Sequence, residues 1–384
     1  MKMYIRGYHW PHILFFSASP IISIVSVSWL VAHGGPHWAT WILAVVLLFA
    51  TGMGTTAGYH RLFSHKSYQA KWAVRLLYLL FGGAAFEGSA RWWACQHRIH
   101  HHHIDTGQDP YGINKGFWHA HIGWLFVQDQ EPPNFDNIKD LDQDPLVRLQ
   151  DRFYAPLAIL IGFGLPTAIA ALWGDPWGGF FVAGVTRMVF NHHATFCINS
   201  LCHYIGNRPY SDQHSARDSW IAALVTYGEG YHNFHHEFAY DYRNGIRFYQ
   251  WDPTKWLINV LSWFKLAHHL RQASQEHILA ARLEMDQKRA VGRLAHYSES
   301  VRYKTHEVLI TTRTQLQQTF ARLQKLKKEY TKVKRAQLHT FTESMGKTLE
   351  EKRLELQRAK QEFDMIMARW QQLISGPELV GGLP

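Results

Sequence analysis

The sequence predicts an all-α integral membrane protein with four transmembrane helices, a cytoplasmic cap that holds two metal ions, and a long C-terminal helical extension. Three observations predict this fold: uncharged apolar runs, histidine clusters beside the ends of those runs, and a charged tail that lacks proline. The 384 residues include 26 histidines, and the net charge is +10. Of this charge, +8 belongs to residues 271–384. We therefore expect two domains, 1–270 and 271–384.

Four stretches are long enough to cross a bilayer. Residues 13–32, 40–59 and 154–173 each contain 20 residues without a charge, which is the length that spans about 30 Å of hydrocarbon. Residues 177–198 form a fourth stretch that only Arg187 interrupts. These four stretches are the predicted transmembrane helices. Their number places both ends of the chain on one side of the membrane.

The Lys and Arg residues predict which side that is. The loops 33–39 and 174–176 contain neither residue, whereas basic side chains flank the opposite ends of the spans. These side chains are Lys2, Arg6, Arg61, Lys66, Lys71 and Arg75. Because positive flanks stay in the cytoplasm, both termini are expected there. The apolar stretch 72–86 is too short for a span and is expected to lie at the membrane interface.

Three histidine motifs fall on the cytoplasmic side of this topology. They are His60-Arg-Leu-Phe-Ser-His65, His97-Arg-Ile-His100-His101 and His232-Asn-Phe-His235-His236. Imidazole is a good ligand for iron, zinc or copper. In HxxHH on a helix, the first and fourth residues are expected to share one face, with the fifth about 100° further round. Eight imidazoles on one membrane face therefore predict a site for two metals, rather than a chance cluster at the interface.

The motifs resemble the three boxes HRxxxH, HRxHH and HNxHH of the membrane-bound acyl desaturases of the stearoyl-CoA desaturase type. The resemblance covers about residues 12–265 and includes Asp105-Thr-Gly-Gln-Asp-Pro-Tyr111, Asn199-Ser-Leu-Cys-His203 and Gly228-Glu-Gly230. It implies two Fe²⁺ ions held by nine histidines and, through water, one asparagine. These residues are His60, His65, His97, His100, His101, His203, His232, His235, His236 and Asn199.

The same resemblance implies an O2-dependent enzyme that introduces a cis double bond, at Δ9, into a saturated acyl chain. Hydrogen removal from an unactivated methylene needs an oxidant stronger than any side chain, so the iron centre itself is the predicted catalyst. The resemblance also implies that Leu48 and Gly52 close the far end of the acyl tunnel. They lie four residues apart, on one face of a helix.

The acyl carrier is less well defined by the sequence. Acyl-CoA enzymes of this family usually have Arg-Asp immediately before the second box, where this chain has Cys95 and Gln96. Acyl-CoA is the preferred substrate, and a phospholipid or carrier protein remains an alternative. Basic candidates for phosphate contacts are Lys115, Arg148 and Arg152, since Lys and Arg bind phosphates.

Electrons are expected from a separate protein, because the chain lacks an HPGG haem-ligand motif. The expected partners are a ferredoxin, rubredoxin or cytochrome b5 type of donor, O2, membrane lipid and a fatty acyl substrate, with no nucleic acid. Two alternatives share the metal motifs: a hydroxylase or alkane monooxygenase, and a membrane protein that binds or transports metal. Three cysteines without a CxxC pair exclude a disulfide scaffold.

The tail between residues 272 and 375 contains no proline and reads as long helix. Its apolar residues alternate at steps of three and four over three heptads, with Lys352 as the one misfit. They are Leu349, Leu356, Phe363, Trp370, Ala359, Ile366 and Leu373. This pattern predicts a coiled coil, with self-association of the chain as one outcome. An amphipathic helix on the protein or on anionic lipid also fits the net charge.

Overall fold

The computed structural model describes residues 7–128, 134–339 and 343–376, and the side chains of 337–339 and 343–345 fall outside this description. Lys2 and Arg6, two of the basic flanks used to predict orientation, also lie outside it. The chain divides into two compact units. One unit extends to Arg208 and includes Asp212–Gln272, and the other comprises Pro209–Ser211 and the residues from Ala273 onward.

Three helices of the first unit are long and apolar enough to cross a membrane, in the part of the chain that the structure describes. Helix α1 (Trp10–Ala32) has a mean hydropathy of 1.9. Helix α2 (Trp38–Met53) continues as a π-helix over Gly54–Ser64, and together they form a 27-residue span. The third span, Tyr154–Ala171, contains α8 (Tyr154–Ile159), a π-helical turn (Leu160–Gly164) and α9 (Leu165–Ala171).

The fourth predicted span lies within a helix that runs from residue 176 to residue 204. This helix consists of α10 (Pro176–Gly178), a π-helical segment (Gly179–Thr186) and α11 (Arg187–Tyr204). It is not among the three apolar helices, because α11 begins with Arg187 and continues with Asn191, His192 and His193. The fourth span therefore stays a prediction.

The structure also shows how Arg187 is accommodated. Its guanidinium is buried and donates hydrogen bonds to three backbone carbonyls: Ala84 O at 2.8 Å, Gly162 O at 3.1 Å and Ala183 O at 3.3 Å. A charge within a predicted span should either face the protein interior or pair with a carboxylate. Arg187 faces the interior, where carbonyl oxygens satisfy the donors of the buried charge.

The other elements of the first unit are short. The helices are α3 (Trp72–Gly83), α4 (Ala90–His103), α5 (Phe117–His121), α6 (Lys139–Asp142), α7 (Pro145–Arg152), α12 (Trp220–Val225), α13 (His232–Glu237) and α14 (Pro253–Trp263). The 3₁₀ turns are Ile113–Lys115, Gly123–Leu125 and Phe135–Ile138. Strand β1 (Gln69–Ala70) pairs antiparallel with β2 (Ala267–His268). This pairing joins the segment after the first histidine motif to the end of the unit.

The core of the first unit packs around the π-helix that carries the first histidine motif. Its buried side chains include Tyr59, Phe63 and Tyr78. At Gly54, an added Cβ atom would lie 2.3 Å from the backbone nitrogen of Gly82 on α3. Only glycine allows the two helices to approach this closely. The π-helix and its histidines are therefore held rigidly against α3.

The second unit consists of three helices, α15 (Gln275–Arg293), α16 (Glu299–His339) and α17 (Glu343–Ser375), with a 3₁₀ turn at Leu294–His296. Its core contains Trp370, which is 1% exposed, together with residues of α15 and α16. Phe363 packs on Phe320 with ring centroids 5.3 Å apart. Lys352, the misfit in the heptad pattern, pairs with Glu329 at 3.1 Å. The apolar seam of α17 is thus covered by helices of the same chain, and self-association stays a prediction.

Candidate metal centre

Nine histidines converge in two groups within the described residues. The first group is His60, His65, His97, His101 and His235, and the second is His100, His203, His232 and His236. In each group, one ring nitrogen per residue lies within 4.8 Å of all the others. The structure thus brings together all nine histidines that the sequence nominated. Asn199, the tenth nominee, lines the adjacent cavity.

Both HxxHH motifs divide their histidines between the two groups. On α4, His97 and His101 belong to the first group and His100 to the second; on α13, His232 and His236 belong to the second group and His235 to the first. The sequence predicts that the first and fourth residues of the motif share a face, whereas the structure groups the first with the fifth. On an α-helix, position i+4 lies about 40° from position i, and position i+3 about 60° away on the other side. The first and fifth residues are consequently the closer pair.

The π-helix explains the wider spacing of the first motif. The backbone N–H of His65 donates to the carbonyl of His60 at 3.1 Å, a bond across five residues. This geometry brings the two rings to 4.9 Å, and both join the first group. On a regular α-helix, residues five apart point in different directions. The local widening of the helix, a feature frequent at functional sites, makes the HxxxxH motif competent to bind one ion.

Several ring nitrogens lie within hydrogen-bond distance of one another, and the tautomer of each ring decides which one donates. Nε2 of His65 lies 2.8 Å from Nε2 of His97, and Nε2 of His235 lies 3.0 Å from Nε2 of both His60 and His101. Imidazole nitrogens bound at right angles to one ion, about 2.1 Å from it, are about 3 Å apart. The spacing therefore fits a metal ion in this group.

Two buried carboxylates orient one histidine in each group. Oε2 of Glu229 lies 3.0 Å from Nδ1 of His60, and Oδ1 of Asp109 lies 2.8 Å from Nδ1 of His100. A carboxylate at Nδ1 fixes the tautomer and directs the other nitrogen toward a metal. Sequence analysis did not assign these two residues, although both belong to segments that resemble the desaturases. Their position within those segments was the one feature of the sequence that could have identified them as functional residues.

His203 is oriented by a relay of two side chains. Its Nδ1 atom lies 2.8 Å from Oγ of Ser215, and the same oxygen donates to Oδ1 of Asp105 at 2.6 Å. Nε2 of His203 is buried and has no hydrogen-bond partner among the described residues. His203 is a member of the second group, and this nitrogen is available to bind a metal.

Burial keeps these imidazoles neutral. It lowers the pKa of His97, His101 and His235 well below the usual value, and it lowers that of His232 to about 3. Neutral imidazole is the form that binds metal ions. The negative charge of Glu229 is balanced by the buried guanidinium of Arg61, whose Nη2 atom lies 2.9 Å from Oε1. His97, His101, His232 and His235 are therefore uncharged at neutral pH.

A cavity of about 330 Å³ lies beside both groups and is lined by His60, His97, His100 and His232. Its apolar lining includes the aromatic side chains of Phe15, Phe16, Phe86, Trp92, Trp93 and Phe196. Polar side chains in the wall include Thr55, Glu87 and Asn199. The aromatic part of the wall suits a hydrocarbon chain.

The predicted substrate residues occupy different places. Gly52 lies against Tyr227, and Leu48 offers its carbonyl to the hydroxyl of that tyrosine at 3.5 Å; neither Leu48 nor Gly52 lines the described cavity. Lys115 donates to the carbonyl of Asp109 at 3.3 Å, which places it beside the second group. The remaining two candidates, Arg148 and Arg152, are exposed on α7 and lie outside the cavity wall.

Comparisons with known proteins agree with this architecture. The family model described as "Fatty acid desaturase" matches residues 36–259. The "Probable acyl-CoA desaturase" of Schizosaccharomyces pombe is 43% identical over 290 residues, which cover 75% of this chain and 60% of the relative. "Acyl-CoA desaturase 1" of Saccharomyces cerevisiae is 42% identical over 285 residues, 72% of this chain and 56% of the relative. "Stearoyl-CoA desaturase 5" of Bos taurus is 34% identical over 277 residues, with coverages of 71% and 82%. The chain thus spans less than two thirds of the length of the two yeast proteins.

Proposed function

The chain belongs to the fatty acid desaturase family, and on that premise we propose that it is an O2-dependent acyl-CoA desaturase that introduces a cis double bond at Δ9. The observation that carries the proposal is the convergence of nine buried histidines in two groups beside an apolar cavity. The balanced reaction takes one saturated acyl chain, O2, two electrons and two protons. It yields the unsaturated chain and two molecules of water.

Each histidine group is proposed to hold one iron ion. Five imidazoles in one group and four in the other, with Asn199 acting through water, fit a metal that accepts nitrogen ligands. When bound, the pair of irons would supply the O2-activating chemistry that no side chain provides. Nitrogen spacings near 3 Å and neutral imidazoles support this assignment. The carboxylates are proposed to contact the histidines rather than the metals.

The protein's own residues position the ligands and exclude water. Glu229, Asp109 and Ser215 each hold a histidine by its Nδ1 atom and fix the direction of the other nitrogen. The aromatic wall excludes water from the acyl chain beside the metals. Because these contacts are made before substrate binds, the site needs little rearrangement during the reaction.

Acyl-CoA is the proposed carrier because the two yeast relatives are named as acyl-CoA desaturases. Lys115, Arg148 and Arg152 are the proposed phosphate contacts. Cys95, which stands where acyl-CoA enzymes usually have Arg, is buried, and its thiol donates to the carbonyl of Asn134 at 3.5 Å. It offers nothing to a head group. A CoA molecule must therefore be held by basic residues other than the Arg that acyl-CoA enzymes usually have at this position.

The remaining parts of the proposal concern topology and partners. We propose four spans, with both termini and the metal centre in the cytoplasm, and a separate electron donor of the ferredoxin, rubredoxin or cytochrome b5 type. Residues 1–270 form the proposed catalytic domain. The basic helical extension, 271–384, is proposed to act outside the chemistry, with self-association as one role.

Expression in a host that lacks its own desaturase tests the function. Fatty-acid methyl esters would be analysed by mass spectrometry, and the double bond would be mapped. The proposal predicts products lighter by two hydrogens, with the bond at Δ9, that require air. A hydroxylase would instead add one oxygen, and a metal transporter would give no lipid product. The His235→Ala protein is the inactive control, since it lacks a ligand of the first group.

A further inference from the structure

The two histidine groups are unequal in size. The first contains five imidazoles and the second contains four. Both groups draw on the same pair of HxxHH helices, α4 and α13. The second group therefore supplies one imidazole fewer than the first.

His214 lies next to the smaller group. Its ring centroid is 5.2 Å from that of His236. Ring centroids within the second group itself are separated by similar distances, 4.6 Å between His232 and His236 and 5.4 Å between His203 and His236. His214 is thus as close to His236 as the proposed ligands are to one another.

The side chain of His214 is also unsatisfied. Only 9% of the residue is exposed, and neither Nδ1 nor Nε2 has a hydrogen-bond partner within the described ranges. A buried polar group without a partner costs free energy, so native proteins seldom leave both nitrogens of an imidazole unpaired. A ligand that accepts an imidazole lone pair would remove this cost.

The backbone beside His214 is fixed to the second group. The N–H of Ser215 donates to Oδ2 of Asp105 at 2.6 Å, and the hydroxyl of Ser215 contacts His203 at 2.8 Å. His214 is therefore attached to a segment that already positions one proposed ligand. It is not in the set of four nitrogens that lie within 4.8 Å of one another, so binding requires its ring to turn toward them.

We propose that His214 is a fifth imidazole ligand of the second iron, so that each group supplies five. The inference rests on the proposed function, because it requires the two irons. It extends the ligand set beyond the nine histidines that the sequence nominated. The residue lies outside the three motifs, and spacing alone could not have assigned it.

Full-length protein loaded with ⁵⁷Fe tests the inference by Mössbauer spectroscopy, together with the rate at which a chelator removes iron. His214→Ala removes the nitrogens, and His214→Phe removes them while keeping an aromatic ring in the space. In both variants we expect one quadrupole doublet to change while the other is retained. We also expect roughly tenfold or greater acceleration of loss for one of the two irons. Free imidazole should restore the wild-type doublet in His214→Ala.

His192→Ala is the matched control. His192 is buried and has an unpartnered Nε2, but it belongs to neither group. Its replacement should leave both doublets unchanged. Wild-type spectra and iron retention in His214→Phe would overturn the inference while leaving the proposed function intact. A wild-type protein that binds no iron would overturn both, and equal effects on the two irons in His214→Ala, without rescue by imidazole, would indicate a merely structural role.

Discussion

Oε2 of Glu229 lies 3.0 Å from Nδ1 of His60, and Oε1 of the same carboxylate lies 2.9 Å from the guanidinium of Arg61. Glu229 is completely buried, so its charge is held in place by these two contacts and by Asn244, which donates to Oε2. The carboxylate links a histidine of the first group to a buried cation. Asp109 plays the corresponding part for His100 in the second group.

This relationship predicts that each carboxylate supports a different metal. Glu229→Gln keeps the shape of the side chain but removes the charge that orients His60, so metal affinity of the first group should fall about 10- to 100-fold. Asp109→Asn should weaken the second group by a similar factor. Competition with a chelator, followed by iron analysis, measures both affinities.

The exposed Glu307 provides the control, and Glu307→Gln should leave both affinities unchanged. Loss of the same iron in Glu229→Gln and Asp109→Asn would contradict the division into two groups. Unchanged iron binding in both variants would show that neither carboxylate supports the centre.

Eight of the nine histidines could be predicted because they occur in three short motifs, and His203 followed from the resemblance to the desaturases. The sequence could not predict how they are shared, since that depends on the difference between i+3 and i+4 and on the π-helix that brings His65 to His60. The residues that orient these histidines could not be predicted from the motifs. Ser215 contacts Asp105 across 110 positions, and only the folded chain reveals such pairs.

The apolar helices likewise could be predicted where they depend on neighbouring residues, but not where they depend on residues far along the chain. Three of the four predicted spans depend on uncharged runs and correspond to long apolar helices. The fourth contains Arg187, whose burial is explained by carbonyls that lie 25 and 103 positions away. A hydropathy pattern cannot predict these hydrogen-bond partners.

Glu87 predicts a pH dependence of substrate binding. Its carboxyl lines the cavity and accepts a hydrogen bond from Asn191 at 3.0 Å, and burial raises its pKa to about 8. The group is therefore neutral at pH 7 and ionises as pH rises through 8. An ionised carboxylate would have to lose its hydration when an acyl chain fills the cavity, which weakens binding of the chain. If only the neutral form binds, KM should be about tenfold higher at pH 9 than at pH 7.

Steady-state assays across this pH range measure the effect. Glu87→Gln is the matched control, since its amide is neutral at every pH and should give a nearly constant KM. The same rise of KM in Glu87→Gln would assign the pH dependence to another group.

Gly52 and Leu48 predict a change in chain-length preference. A Cβ atom at Gly52 would lie 2.4 Å from the ring of Tyr227, so Gly52→Leu must displace that ring. The hydroxyl of Tyr227 donates to Asn191, which holds Glu87 in the cavity wall. Gly52→Leu should therefore narrow the acyl site and favour C14 and C16 chains. Leu48→Ala should admit C20 chains, and competition among C14 to C20 substrates measures both preferences.

Val46 is exposed on the same helix, and Val46→Leu controls for general effects of a larger side chain. An unchanged product profile in Gly52→Leu and Leu48→Ala, at normal expression, would exclude the two positions from the tunnel end.

The burial of Trp370 predicts that a substitution there will destabilise the helical extension without loss of the metals. The side chain is 1% exposed in the core of the second unit. Trp370→Ala should lower the free energy of unfolding of that unit by about 3–5 kcal/mol. Because every histidine of the two groups precedes residue 237, iron content should not change. Thermal unfolding and iron analysis test the two statements, with the exposed Tyr303→Ala as control.

The central claim is that the two histidine groups form the metal centre of an oxygen-dependent desaturase. Its most direct test uses purified full-length protein that contains two irons, with a C18 acyl-CoA, O2 and a chemical reductant, and measures product mass and O2 consumption together. The account predicts a product lighter by two hydrogens, one O2 consumed per product, and no product from His235→Ala. An oxygenated product, or no product from protein with both irons in place, would contradict it.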